Sequence, residues 1–299
     1  MMKILTSEEL LQQQLSEISE QQASKTKPIE IPKSIGISYN AELQRMVNLI
    51  RVDIEESLTP QIKNLAPEYT ADSWVDVITS SLKSLRERWS NDRFNRWAEG
   101  VAQSFIQAIN LQNQKQFANQ FKSFGIDIFS SNKTVNDYLQ ASVENNVSLI
   151  KSIPDQYLSQ VESIVLSNMR SGLRPSAIEK QLTDQFGVTK RRARVIARDQ
   201  SSKASNGLAK KRMESSGIVY FQWIDSSDNR VRSRHKAIAN KLTAYGKGVY
   251  RLDTLPLNDK GVPIACGDDY QCRCVARPVL KSEVLRNQKS GNVAKGVKR

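Results

Sequence analysis

Gly217-Ile218-Val219-Tyr220-Phe221-Gln222-Trp223-Ile224 marks the point at which this chain changes character. The run is β-branched and aromatic, lacks the three- and four-residue spacing of an amphipathic helix, and is closed by the turn-forming Asp225-Ser226-Ser227-Asp228-Asn229. It reads as a strand followed by a turn. Beyond it, Arg232 to Leu242 reads as a short helix and Val249-Tyr250-Arg251-Leu252 as a second strand. Before it the texture is helical. The expected fold is mainly α: an elongated helical body followed by a small α+β C-terminal module over residues 217–280.

Immediately upstream lies a helix expected over residues 189–215, with Thr189 as its cap and Gly217 as its stop. Between Lys190 and Arg212 it carries nine basic residues, Lys190, Arg191, Arg192, Arg194, Arg198, Lys203, Lys210, Lys211 and Arg212, against one acid, Asp199. At helical spacing Arg191, Arg194 and Arg198 share one face. Such a face neutralises phosphates without reading sequence. The candidate nucleic-acid contacts are therefore Lys190, Arg191, Arg192, Arg194, Arg198, Lys210, Lys211 and Arg212. A solvated face, or one matched to acids of a partner subunit, is the plain alternative. A preceding helix over residues 175–186 opens at Pro175, and the Gly187 turn between the two also fits a helix-turn-helix.

Further upstream, helices are expected over residues 134–151 and from Pro154 to Arg170, the second stopped by Gly172. Three apolar stripes come before them. Leu43, Met46, Val47, Ile50, Ile54 and Leu58 form the first, interrupted by Pro60. Trp74, Val77, Ile78, Leu82, Leu85 and Trp89 form the second. Phe94, Trp97, Val101 and Phe105 begin a third that runs on to Phe121. Tryptophans at this spacing are core residues. The reading divides the body into a helical domain over residues 41–150 and a basic helical part over residues 151–216. Residues 1–40 are expected to form a short helix over 6–22, opened by the capping pair Thr6 and Glu9, and an extended linker or intersubunit strap over 23–40. Residues 281–299 hold six basic residues and one acid, Glu283, and read as a flexible basic tail.

Composition narrows the function. The chain of 299 residues has a net charge of +13, 39% hydrophobic and 7% aromatic residues. A real core is expected together with some extended chain, and an anionic partner, nucleic acid being the commonest. No apolar run is long enough to cross a bilayer, and Met1-Met2-Lys3-Ile4-Leu5-Thr6 turns polar too soon for a signal peptide. Three cysteines without such a signal point to a reducing compartment and away from a disulfide framework. There is no P-loop, G-x-G-x-x-G, G-x-S-x-G or H-E-x-x-H, so the commonest enzyme classes are excluded.

All three cysteines and the single histidine fall within the C-terminal module: His235, Cys266, Cys272 and Cys274. Together they form a Cys3His set suited to tetrahedral zinc, a staple that would serve a small module with a thin core. The bland alternative is three buried thiols and a hydrogen-bonded imidazole. Asp228, Arg230, Arg232 and His235 are expected to form a structural polar network. Within it Asp228, Arg232 and His235 lie at i, i+4 and i+7, so that with Asp228 as a helix cap they could also bind phosphate or run acid–base chemistry.

The ordered set resembles a known family. Its parts are Arg192-Ala193-Arg194-Val195-Ile196-Ala197-Arg198-Asp199, then Gly217-Ile218 and Trp223, then Asp228-x-Arg230-Val231-Arg232-x-x-His235, and finally Gly267-Asp268-Asp269-Tyr270-Gln271-Cys272-Arg273-Cys274-Val275. Over residues 140–280 it is similar to the phage Mu F-like head morphogenesis proteins, minor capsid proteins of tailed bacteriophages. The resemblance implies a non-enzymatic, low-copy component of the virion, made in the host cytoplasm and placed inside the head. Its implied partners are the portal and other head proteins, with non-specific contact to packaged double-stranded DNA and none to membrane. Two positions depart from the family pattern: Ala239-Asn240-Lys241-Leu242 replaces a glycine expected soon after the histidine, and Cys266 stands where a Pro-like residue is expected. Two other readings stay open, a metal-dependent nuclease built on Asp228, His235 and the cysteines, and a helix-turn-helix regulator using residues 175–212.

Overall fold

The computed structural model describes residues 26–64, 73–122 and 133–294. The expected helix over 6–22 with Thr6 and Glu9, and the last residues of the basic tail, lie outside them. The described chain forms α1 (Lys33–Ser57), α2 (Thr59–Asn64), α3 (Ser73–Arg88), α4 (Asp92–Lys122), α5 (Lys133–Arg170), α6 (Pro175–Ser215), β1 (Tyr220–Ile224), α7 (Ser233–Asn240), β2 (Leu242–Thr243), β3 (Gly246–Lys247), β4 (Val249–Arg251), β5 (Val275–Val279) and α8 (Lys281–Lys289). The fold is mainly α with a small C-terminal sheet and a His/Cys cluster, as the sequence implies.

The chain divides into two compact units that interleave along the sequence. One comprises residues 34–105 and 143–198, the other residues 1–33, 106–142 and 199–299. The sequence reading, in contrast, places its boundaries in simple succession near residues 40, 150, 216 and 280. The difference arises because α4, α5 and α6 each contribute residues to both units.

The first unit is helical. The stripe Leu43, Met46, Val47, Ile50 and Ile54 of α1 is buried, and so are Ile78, Leu82 and Leu85 of α3. Pro60 sits in the first turn of α2, where its missing N–H costs nothing. Residues 33–40, expected as linker, belong to α1: Tyr39 stacks on Phe105 at 3.9 Å and donates its hydroxyl to Asn146. Trp89 and Trp97 are half-buried, and the Trp89 indole donates to Asp53.

Two expected helix breaks are absent. Pro154 lies inside the continuous α5, where a proline costs about 3 kcal/mol. Burial of Ile150, Ile153, Tyr157 and Leu158 around it, at about 1.5–3 kcal/mol each, exceeds that cost. Gly187 likewise lies inside the unbroken α6, and Thr189, expected as a cap, is buried mid-helix with its hydroxyl on the Gln185 carbonyl. A helix interrupted by one glycine loses about 1 kcal/mol, which the buried Leu182 and Ala193 on either side offset. With no turn at residue 187, residues 175–215 form one helix rather than a helix-turn-helix.

The second unit holds the sheet, in the order β4-β1-β5 with both pairings antiparallel. Its core gathers Ile29, Phe117, Phe121, Met213, Ile218, Phe221, Trp223, Ile238, Tyr250 and Ile264 with the three cysteines. β5 is not evident in the sequence because Arg277 and Pro278 break its apolar pattern. Pro278 is tolerated because β5 is an edge strand. Residues 26–32 lie extended along the same unit: the Ile29 amide donates to the Ala276 carbonyl, and Lys27 and Glu30 amides donate to Gln120 and Gln116. This strap is intramolecular. Residues 281–289, expected as flexible tail, form α8, where Val284 is buried and Glu283 pairs with Arg277.

Candidate functional site

The β1–β5 register builds the site. Trp223 faces Ala276 and Ile224 faces Val275, so Cys274 falls immediately beyond the paired segment, beside the turn that follows β1. That turn is local chemistry. The Asp225 carboxylate accepts the Ser227 amide, and the Asp228 carboxylate accepts the Arg230 amide at 2.9 Å. Ser227 takes positive φ between them. α7 then starts at Ser233 and turns His235 inward, where it is buried at 2% exposure and meets the Trp223 ring edge-on at 5.4 Å.

The two signature segments, 228–235 and 267–274, meet residue by residue. Arg273 holds both oxygens of Asp228. Arg232 donates to the Tyr270 carbonyl at 2.7 Å. Arg234 donates to Asp269 and to Asp259. His235 Nε2 lies 2.7 Å from Asp269 Oδ2, while its Nδ1 faces Cys274 Sγ at 3.5 Å and Cys272 Sγ at 3.7 Å. The expected trio of Asp228, Arg232 and His235 does not converge. Asp228 is no helix cap, since Arg232 occupies that position of α7, and each of the three turns to a different residue of the second segment. Arg230 reaches Asp228 at 3.5 Å from an exposed position.

Electrostatics follow from this geometry. The Arg273 guanidinium holds the Asp228 carboxyl well below the usual carboxylate range. Burial pulls Asp269 upward, but hydrogen bonds from Arg234 and His235 outweigh it and keep the carboxylate ionised. An ionised Asp269 can only accept, so His235 Nε2 carries a proton and Nδ1 is the nitrogen turned to the sulfurs; the hydrogen bonds to Cys272 and Asp269 outweigh burial and raise the His235 pKa. Cys272 is pulled down as a thiolate by the Cys274 thiol, by His235 and by the backbone N–H groups of Gly267 and Cys274. That charge, with burial, pushes Cys274 up. The group whose ligand atoms converge is His235, Cys272 and Cys274, all buried. Cys266 lies outside it, in the apolar core, where burial raises its thiol.

Sequence reasoning missed the residues that hold the second segment in place. Asp199, Ser202 and Asn206 are each at most 5% exposed and lie at i, i+3 and i+7 on α6. Asp199 accepts the Gln271 amide at 2.6 Å, Ser202 donates to the Cys272 carbonyl, and Asn206 donates to the Cys274 carbonyl at 3.1 Å. Gln271 is thereby kept at φ +54°, a conformation few non-glycine residues adopt. Gly267, at φ +90°, passes so close to Asn206 and to the Ser202 carbonyl that a Cβ there would lie 3.0–3.1 Å from them. A stripe of small polar residues at helical spacing within a basic helix was the available signal.

The eight basic candidates fare differently. Arg191, Arg194 and Arg198 are exposed, and among the described residues none of them forms an ion pair. Lys190 lies over the Phe186 ring at 5.2 Å. Arg192 is half-buried on Ser152, with its pKa lowered by burial. Lys210 and Lys211 pair with Glu214. Arg212 donates to Asn113 and Asn110, and burial lowers its pKa to about 10.

Comparison with known proteins bears on this arrangement. Residues 159–277 match the family described as Phage Mu protein F like protein. The match runs from α5 to β5 and takes in both signature segments and the α6 stripe that holds them. An uncharacterized protein of Haemophilus influenzae is 29% identical over 272 residues, an alignment covering 89% of this chain and 58% of that protein. The chain thus spans under two thirds of the length of that curated relative. No solved structure matches.

Proposed function

We propose that this chain is a head morphogenesis protein of a tailed bacteriophage, a minor capsid component that acts with the portal in procapsid assembly and contacts packaged DNA inside the head. The observation that carries this reading is the family match over residues 159–277, because it spans a complete structural device, the interlocked segments 228–235 and 267–274 with their support on α6. Assembly takes place in the host cytoplasm, and the product is a virion protein. Among the described residues no helix is long and apolar enough to cross a membrane.

The contact with DNA rests on charge and exposure. Arg191, Arg194 and Arg198 occupy one face of α6 at i, i+3 and i+7, with no acid paired to them among the described residues. Three guanidiniums on one face neutralise phosphates without discriminating bases, as packaging a whole genome requires. The reading needs no catalysis. The groups that a nuclease would use are engaged within the fold, Asp228 by Arg273 and His235 Nε2 by Asp269.

The test is genetic. Deleting this gene from a phage that encodes it, and supplying the protein in trans, is expected to lower the yield of DNA-filled heads and then restore it. Normal heads in normal number from the deletion would contradict the reading.

A further inference from the structure

We propose that His235 Nδ1, Cys272 Sγ and Cys274 Sγ bind one zinc-class divalent cation, that Cys266 is not its fourth ligand, and that Asp269 positions His235 for it. The inference stands independently of what the chain assembles with.

Ligand spacing is the first argument. With Zn–S near 2.3 Å and Zn–N near 2.05 Å, a tetrahedral angle puts nitrogen and sulfur about 3.6 Å apart. The observed separations are 3.5 Å to Cys274 and 3.7 Å to Cys272, and the three donor atoms lie within 4.8 Å of one another.

The surroundings of the donors are the second argument. Nε2 of His235 is held by Asp269, which Arg234 holds in turn, so the ring is fixed with Nδ1 directed at the sulfurs. This is the carboxylate–histidine arrangement found behind metal-bound imidazoles. All three donor residues are buried, and the Trp223 ring, 1% exposed, meets the imidazole edge-on at 5.4 Å. The Trp223 indole N–H has no hydrogen-bond partner among the described residues. The three donor atoms thus converge in an enclosed pocket whose walls fix the imidazole.

The clamp on the Cys272–Cys274 loop is the third. Asp199, Ser202 and Asn206 bind the amide of Gln271 and the carbonyls of Cys272 and Cys274, fixing two thiols one residue apart on the same side of a turn. Alternating side chains of an extended strand would also put i and i+2 on one face, but a loop held at three points by buried polar groups is a preorganised site. Cys266 has no part in it: its sulfur falls outside the converging group and sits in the apolar core. The fourth position is left to water or another exchangeable donor, which makes the site open rather than a closed Cys3His knuckle.

The experiment uses the full chain, purified without chelator and passed over a metal-scavenging resin, with metal measured by plasma mass spectrometry. About one zinc per chain is expected, kept by Cys266→Ala and lost by Cys272→Ser and by Cys274→Ser, with circular dichroism establishing that each variant is folded. Should the serine variants fail to fold, cobalt loading of the wild-type chain decides. Thiolate-to-cobalt charge-transfer absorption is expected, with X-ray absorption giving two sulfur and two lighter ligands. Asp269→Asn is expected to weaken metal affinity by roughly 10- to 100-fold without abolishing the cobalt spectrum. Three sulfur ligands, or loss of metal in Cys266→Ala, would overturn the assignment of the ligand set. A folded chain that takes up neither zinc nor cobalt, or a Cys272–Cys274 disulfide seen by mass, would overturn the site altogether.

Discussion

Arg273 grips both carboxylate oxygens of Asp228 across 45 residues of sequence, and this pair locks the turn after β1 to the loop before β5. Arg273 stands between Cys272 and Cys274, so the residue that separates the two thiols is also the one that fastens the opposite segment.

Asp228→Asn is therefore expected to destabilise the C-terminal unit, and Arg273→Met to do the same, with the double variant costing less than the two separate losses combined. The sign with pH is fixed by the depressed carboxyl. Its contribution is fully present above the ordinary aspartate pKa and is lost as pH falls through the lower folded value. Urea midpoints measured from neutral to acid pH should converge for wild type and Asp228→Asn at the acid end. Equal spacing at every pH would show that the pair contributes nothing through charge.

The sequence made the two signature segments and most helices legible, because D-x-R-V-R-x-x-H, C-R-C and the apolar stripes are local patterns. It hid what depends on tertiary contact. Pro154 and Gly187 carry the local signal of a break, and only burial of the residues around them keeps α5 and α6 whole. β5 is disguised by Arg277 and Pro278, which make sense only once Glu283 and the strand's edge position are known. Asp269 has the look of an ordinary loop acid, and nothing local distinguishes it from Asp268 as the partner of His235.

Arg277 and Glu283 make a pair whose side chains are 9% and 12% exposed. Removing Glu283 strands a guanidinium that is otherwise held by Gln222 and Thr26. Glu283→Ala should cost about 3 kcal/mol, toward the lower end for a broken buried pair. Denaturant unfolding measures it, and a loss below about 1 kcal/mol, as at an exposed pair, would contradict the intimate docking of α8.

Two glycines within helices should respond in opposite ways. An added Cβ at Gly100 in α4 meets nothing within 4 Å, so Gly100→Ala should stabilise by about 0.5–1 kcal/mol. At Gly207 in α6 it would collide with the Tyr138 hydroxyl, which donates to the Lys203 carbonyl. Gly207→Ala should destabilise by about 1–3 kcal/mol despite its better helix propensity. Thermal unfolding of the two variants side by side makes the comparison, and a stabilised Gly207→Ala would mean that the Tyr138 ring is not seated there.

The exposed arginines predict a salt signature. Replacing Arg191, Arg194 and Arg198 with Gln should weaken binding to duplexes of unrelated sequence alike, and flatten the plot of log affinity against log salt by about 0.9 for each phosphate no longer neutralised. Fluorescence anisotropy across a salt series reads both quantities. Replacing Lys210 and Lys211, already paired with Glu214, should change the slope less.

Incorporation of this chain into phage heads is measured by quantitative mass spectrometry of purified particles and of their precursor shells, counting the chain against the portal protein. A few copies are expected in both precursor and mature particles. Absence of the chain from both would contradict the proposed function.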